Sequence, residues 1–178
     1  MNGPNALTVS RILLVPVLWV SLFSDLNRWL VLIIFLLASL TDLVDGWWAR
    51  RHGLVSNFGK IADPIADKAL TGAAWIGLSI LGDIPWIATF LILFREIGIT
   101  IIRLWIVDSV VIAASKGGKL KTTMQIVTIS FFIVFASYDI AIINIGLALL
   151  LWVSVAITSV TGWNYFTAMK PFLKSRQK

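Results

Sequence analysis

Residues 42–67 read DLVDGWWARRHGLVSNFGKIADPIAD, which puts four aspartates and three Lys/Arg residues into a chain that is otherwise oily. Of its 178 residues, 58% are hydrophobic and only 13% are charged, with a mean hydropathy of +0.91. A soluble domain carries roughly 25% charged residues, so this composition marks a membrane protein. A helix needs about 20 apolar residues to cross a hydrocarbon core about 30 Å thick, which leaves room for about six or seven crossings. No separate soluble domain fits beside them. The quoted stretch interrupts that pattern, and it keeps carboxylates where a membrane should be.

Working outward from it, hydropathy divides the chain into six spans: 6–24, 29–49, 60–82, 85–107, 119–137 and 140–167. The breaks between them carry turn or charge signals, among them His52-Gly53, Gly82-Asp83 and Ser115-Lys116-Gly117-Gly118. The opening MNGPNALTVSR lacks the charged start, short apolar run and small-residue cleavage site of a signal peptide, so the first apolar stretch reads as a permanent span.

Six spans put the N-terminus, the 2–3 connection, the 4–5 connection and the C-terminus on one side. That side carries Arg50, Arg51, Lys60, Lys116, Lys119, Lys121, Lys170, Lys174, Arg176 and Lys178, whereas the other holds Arg28 with Asp25, Asp83 and Asp139. Lys and Arg accumulate in cytoplasmic loops. The expected fold is therefore all-α: one polytopic membrane domain over residues 1–178, six transmembrane helices, and both termini cytoplasmic. The net charge of +6 lies mostly on that face, where it attracts anionic lipid heads. With no soluble domain to present a groove reader, nucleic acid is not an expected partner. The nine tryptophans, such as Trp29, Trp86 and Trp163 near span ends, read as interfacial anchors.

The absence of cysteine excludes disulfides, thiolate nucleophiles and Cys-ligated zinc, and the single histidine, His52, argues against a His-based metal site. Any bound metal must be held by oxygen, which favours Mg²⁺, Mn²⁺ or Ca²⁺.

Ionisable groups inside membrane segments cost about 2.5–3.5 kcal/mol each on insertion scales. Asp42 and Asp45 close span 2, and Asp63 and Asp67 open span 3. Residues three and four apart share a helix face, so Asp42, Asp45 and Ala49 form one stripe and Asp63 and Asp67 another. A short connection makes the two helices antiparallel neighbours, and the two carboxylate pairs then converge at the cytoplasmic side. Uncompensated, four carboxylates would repel and take up protons. Salt bridges to Arg50, Arg51, Lys60 and Lys68 are one compensation. A pair of divalent cations is the other, and the slim Gly46, Ala49 and Gly59 with the guanidinium of Arg50 suit phosphate chemistry beside them.

The spacing Asp42-x-x-Asp45-Gly46-x-x-Ala49-Arg50, eight residues, then Gly59-x-x-x-Asp63-x-x-x-Asp67 resembles the full signature of the CDP-alcohol phosphatidyltransferases. The resemblance extends over the whole chain and implies a six-helix homodimer in the cell membrane, a bacterial inner or plasma membrane. It implies that Asp42, Asp45, Asp63 and Asp67 hold two divalent cations, Mg²⁺ or Mn²⁺, and that Asp67 also serves as general base. Contacts to CDP-diacylglycerol would come from Gly46, Ala49, Arg50, Ser56 and Gly59. The opening Pro4-Asn5-Ala6-Leu7-Thr8-x-x-Arg11 is similar to the family's first-helix pattern and adds Asn5 and Thr8. The implied reaction is attack of an alcohol on the lipid-linked phosphate, with CMP leaving.

Two further clusters bear on the alcohol. Arg95-Glu96-Ile97-Gly98-Ile99-Thr100-Ile101-Ile102-Arg103 places Glu96, Thr100 and Arg103 on one face, and Gly117-Gly118-Lys119-Leu120-Lys121-Thr122 follows. Arg95, Arg103, Lys119 and Lys121 together suggest an anion pocket for a phosphorylated acceptor. The alternative is that Arg95 pairs with Glu96 while Lys119 and Lys121 are loop or lipid-facing charges. Both stretches are similar to family members that use sn-glycerol 3-phosphate. Inositol phosphate, serine or phosphatidylglycerol are other acceptors for the same chemistry. An ion-coupled transporter is the competing class, but the acids cluster at one membrane face and no internal repeat is visible.

Overall fold

The computed structural model describes residues 3–52, 57–106 and 116–175, with side chains described for residues 12–41, 68–102 and 119–168. The described residues form six α-helices and no strand: α1 (Gly3–Leu22), α2 (Arg28–His52), α3 (Asn57–Ile80), α4 (Trp86–Ile106), α5 (Lys116–Phe135) and α6 (Ala141–Ser175).

Each helix follows an apolar run, and local chemistry sets its ends. Asn27 caps α2: its Oδ1 accepts the Trp29 N–H at 2.9 Å, and its carbonyl accepts the Leu30 N–H at 2.8 Å. Gly82 ends α3 in the left-handed region at φ +81°, which lets the N–H groups of Asp83 and Ile84 reach back to the Leu78 carbonyl at 3.0 and 3.3 Å. Pro85 follows at once; it cannot continue α3, and its carbonyl accepts the Ala88 N–H at 3.0 Å in the first turn of α4. The short connection makes α3 and α4 an antiparallel hairpin.

Most helix ends fall within three residues of the hydropathy reading, and the start of α5 and the end of α6 differ from it most tellingly. α5 starts at Lys116, so Gly117 and Gly118 are helical rather than a break. Glycine costs about 1 kcal/mol in a helix but does not forbid one, and these two continue into a long helical run. α6 runs to Ser175, past the apolar stretch, because helical hydrogen bonding does not depend on the hydropathy that drew the expected boundary.

α3 is the central element and touches α1, α2, α4 and α5, while α6 packs on α4 and α5. The core stacks Leu18 and Leu22 of α1, Phe35 and Ala38 of α2, Trp75 and Leu78 of α3, Ile92 of α4, Ile133 of α5 and Leu151 of α6. The exterior is apolar too: Phe94 is 82% exposed and Ile142 75% exposed. A soluble protein does not leave such a coat to water. Among the described residues, one segment, Ala141–Ala168, is long and apolar enough alone to cross a membrane, with a mean hydropathy of 2.3. Ile12–Leu22 and Arg28–Thr41 are shorter apolar stretches.

Asp83 sits in the α3–α4 turn, outside the apolar spans. Burial pushes its carboxyl above the ordinary range, and the Arg28 guanidinium opposes that rise without cancelling it. The folded state thus holds this proton more tightly than the unfolded chain does, so stability from this group falls as pH rises through the carboxylate range. Asp83→Asn is expected to raise the melting temperature at pH 7 by about 1–3 °C. The gain should vanish once the medium is acid enough to protonate Asp83 in both states. Thermal unfolding of both proteins across pH checks this, and a gain that persists in acid would exclude the ionisation account.

Candidate functional site

The backbone carries the acidic residues as their spacing predicts. Asp42 and Asp45 lie three apart on continuous α2, followed by Gly46, Ala49 and Arg50 in its last turns. Gly59, Asp63 and Asp67 lie on α3, which starts at Asn57, and α2 and α3 touch. One face of each helix therefore bears two carboxylate positions at adjoining helix ends. Their side chains lie outside the described residues, as do those of Asn5, Thr8, Ala49, Arg50 and Arg103, and so does Ser56 altogether. A donor set made only of carboxylates on two neighbouring helices fits hard divalent cations such as Mg²⁺ or Mn²⁺.

One residue beyond Asp67, the side chains are described and a second polar centre begins. Glu96 is buried in α4 on the inward stripe of Ala88 and Ile92, its side chain only 5% exposed. Its Oε2 takes an ion pair from Lys68 Nζ of α3 at 2.8 Å. Its Oε1 accepts from Arg95 Nη1 at 3.1 Å, from Gln125 Nε2 of α5 at 3.3 Å, and from Lys121 Nζ of α5. The network runs on into α6, where Gln125 Nε2 donates to Thr158 Oγ1 at 3.2 Å and Arg95 Nη2 to Thr161 Oγ1 at 3.3 Å. Lys121, Gln125 and Thr158 are all buried. One carboxylate thus ties α3, α4 and α5 together, and its partners extend the network to α6.

Arg95 crosses α6 at Gly162. A Cβ there would lie 2.7 Å from Arg95 Cγ and 2.9 Å from Nε, so the guanidinium stem occupies the space that glycine leaves. Arg95 Nε is buried and has no hydrogen-bond partner. Beside the cluster a cavity of about 380 Å³ opens between α1, α3 and α4; Trp19, Ile76 and Leu93 line its apolar part, and Lys68, Glu96 and Gln125 its polar end.

Of the four cations expected to bind an acceptor phosphate, Arg95 and Lys121 are thus brought together on Glu96, Lys119 is exposed, and Arg103 falls outside the described side chains. The Arg95–Glu96 pair of the alternative reading is present, but Lys121 is a buried partner of Glu96 rather than a lipid-facing charge. The sequence reading missed Gln125, Thr158, Thr161 and Gly162. Helix spacing offered one hint, because Gln125 lies four residues after Lys121 on the same face.

Described residues that are all helical and apolar-coated, with paired carboxylate positions at two helix ends and a cationic cluster around a buried glutamate next in line, have the makings of a membrane-bound phosphotransfer enzyme. Residues 1–160 match the family model for CDP-alcohol phosphatidyltransferases, and the chain belongs to that family. It is a phosphatidyltransferase. It is 41% identical over 169 residues to the probable phosphatidylglycerophosphate synthase of Mycobacterium tuberculosis, a match covering 92% of this chain and 79% of that protein. It is 38% identical over 176 residues to the CDP-diacylglycerol–glycerol-3-phosphate 3-phosphatidyltransferase of Rickettsia bellii, covering 96% and 97% of the two chains. The Bacillus subtilis protein of the same name is 36% identical over 190 residues, covering 98% of each. Enzymes of this family generally depend on divalent metal.

Proposed function

We propose that this protein transfers the phosphatidyl group of CDP-diacylglycerol to sn-glycerol 3-phosphate, forming phosphatidylglycerophosphate and CMP. The observation that carries the reading is near full-length similarity to proteins named for that reaction. The cationic residues of α4 and α5 support a phosphorylated acceptor independently of those names.

On this reading the six helices are six spans with both termini cytoplasmic, which the one-sided distribution of Lys and Arg supports. The enzyme works as a homodimer in the cell membrane, with its site at the cytoplasmic face, where a soluble acceptor meets a lipid donor. Asp42, Asp45, Asp63 and Asp67 would hold two divalent ions, Mg²⁺ or Mn²⁺. When bound, such ions neutralise charge that develops on the pyrophosphate. Asn5, Thr8, Gly46, Ala49, Arg50, Ser56 and Gly59 seat the donor, with small residues where its backbone approach is closest and Arg50 as a fork of donors for phosphate. Asp67 takes the proton from the acceptor hydroxyl as its oxygen bonds to the lipid-linked phosphorus, and the bond from that phosphorus to CMP breaks. Arg95, Arg103, Lys119 and Lys121 hold the acceptor's own phosphate. Lys121 keeps ammonium protons beyond the one engaged by Glu96.

The test is CMP release from CDP-diacylglycerol by the purified full chain with Mg²⁺ or Mn²⁺ and a panel of acceptors. Release with sn-glycerol 3-phosphate and not with inositol phosphate or serine is expected; the reverse would overturn the acceptor. Arg103→Ala is expected to raise the KM for glycerol 3-phosphate about 10- to 100-fold, as loss of one charged hydrogen bond would. An unchanged KM would remove Arg103 from the acceptor site.

A further inference from the structure

We propose that Glu96 is a positioning residue for the transfer, holding Lys68, Arg95 and Lys121 in one array on the acceptor side, with Gly162 as the seat that lets Arg95 join it. The inference rests on the functional reading above and adds residues to its acceptor side.

Four observations carry it. Glu96 is buried, and burying a carboxylate is costly unless it is paired and hydrogen-bonded. It meets cations from three helices: Lys68 at 2.8 Å from α3, Arg95 at 3.1 Å from α4 itself, and Lys121 from α5. A carboxylate kept only to neutralise one neighbour would not need three. Arg95 is also held from its far side, since its stem crosses α6 at Gly162, where a Cβ would lie 2.7 Å from Arg95 Cγ, and its Nη2 donates to Thr161 Oγ1 at 3.3 Å. Finally, Lys68 directly follows Asp67 in α3, so fixing Lys68 on Glu96 fixes the rotation of the helix turn that bears Asp67.

The array also explains the burial of Gln125 and Thr158. Gln125 donates to both Glu96 and Thr158, at 3.3 and 3.2 Å, and so locks the carboxylate from the side away from α3. Without the negative charge, three cations within reach of one point would repel and swing apart. A displacement of about 1 Å at groups that orient a substrate costs up to about 100-fold in rate.

The test uses the full-length enzyme in detergent with CDP-diacylglycerol, metal and glycerol 3-phosphate, and measures kcat and both KM values. Glu96→Gln keeps size and an acceptor oxygen but removes the charge. It is expected to raise the KM for glycerol 3-phosphate about 10- to 100-fold while the KM for CDP-diacylglycerol stays within about twofold. Glu96→Asp, which restores the charge on a shorter stem, is expected to recover part of that loss. Equal loss on both substrates without rescue by aspartate would mean a purely structural role and overturn the proposal, as would unchanged kinetics. Should Glu96→Gln fail to fold, Gly162→Ala reads the same array, because its methyl must displace Arg95; a selective rise in acceptor KM supports the proposal and an unchanged KM overturns it. Wild-type enzyme that releases no CMP with glycerol 3-phosphate would instead defeat the functional reading, and no variant is needed to see that.

Discussion

Asp67→Asn is expected to lower CMP release by about 10²- to 10⁴-fold, the range a positioned general base contributes. Asparagine matches aspartate in size and retains one oxygen, and Asp42, Asp45 and Asp63 remain as charged ligands, so at saturating metal the donor and nucleotide pocket can still form. It cannot accept the hydroxyl proton. The effect should therefore fall on kcat rather than on the KM of either substrate. The position of Asp67 sharpens this expectation. It lies on α3 immediately before Lys68, which is held by Glu96 at 2.8 Å, so the substitution leaves the helix turn anchored. Rates of CMP release with saturating substrates, compared between wild type and Asp67→Asn, decide the matter. Turnover within about twofold of wild type would remove Asp67 as the base.

Removing divalent cations is expected to abolish CMP release altogether, and adding Mg²⁺ or Mn²⁺ is expected to restore it. The argument is electrostatic. Four aspartates on adjoining ends of α2 and α3 cannot all stay ionised without compensation, and an attack at phosphorus between anionic groups needs positive charge nearby. Asp45→Ala should shift the metal concentration needed for half-maximal rate upward by about 10-fold or more, since a charged ligand is lost from a small set. Titration of activity with metal after chelation measures both effects. Full activity in excess chelator would exclude the metal reading, and unaltered metal dependence in Asp45→Ala would remove Asp45 from the ligand set.

Hydropathy and charge spacing made most of the architecture legible before any coordinates. Six apolar runs became six helices, and the Gly82-Asp83 signal marked a real end. The same logic failed at Lys116-Gly117-Gly118, where two glycines are carried into α5 at a cost of about 1 kcal/mol each. For the site, the aspartate stripes were readable because partners three and four residues apart are set by helix geometry alone. The adjacent pair Arg95–Glu96 was readable for the same local reason. The links from Glu96 to Lys68, Lys121 and Gln125, and from Arg95 to Thr161, were not. They join helices 25 to 66 residues apart in sequence, and only the packing of α3, α4, α5 and α6 decides them. Gly162 is the clearest case, since its meaning comes entirely from the arginine that crosses it.

The pairing of Lys68 with Glu96 bears on how the chain enters a bilayer as it is made. α3 and α4 are joined by a tight turn at Gly82 and Pro85, so the ribosome delivers them in succession as one hairpin. On the six-span reading Glu96 and Lys68 therefore arrive together, and each would offset the other's insertion cost of about 2.5–3.5 kcal/mol. Lys121 and Gln125 follow on α5, and Thr158 and Thr161 on α6. The carboxylate thus gains its partners from α3, α4 and α5 in the order of translation, and α6 then braces two of those partners, Gln125 and Arg95.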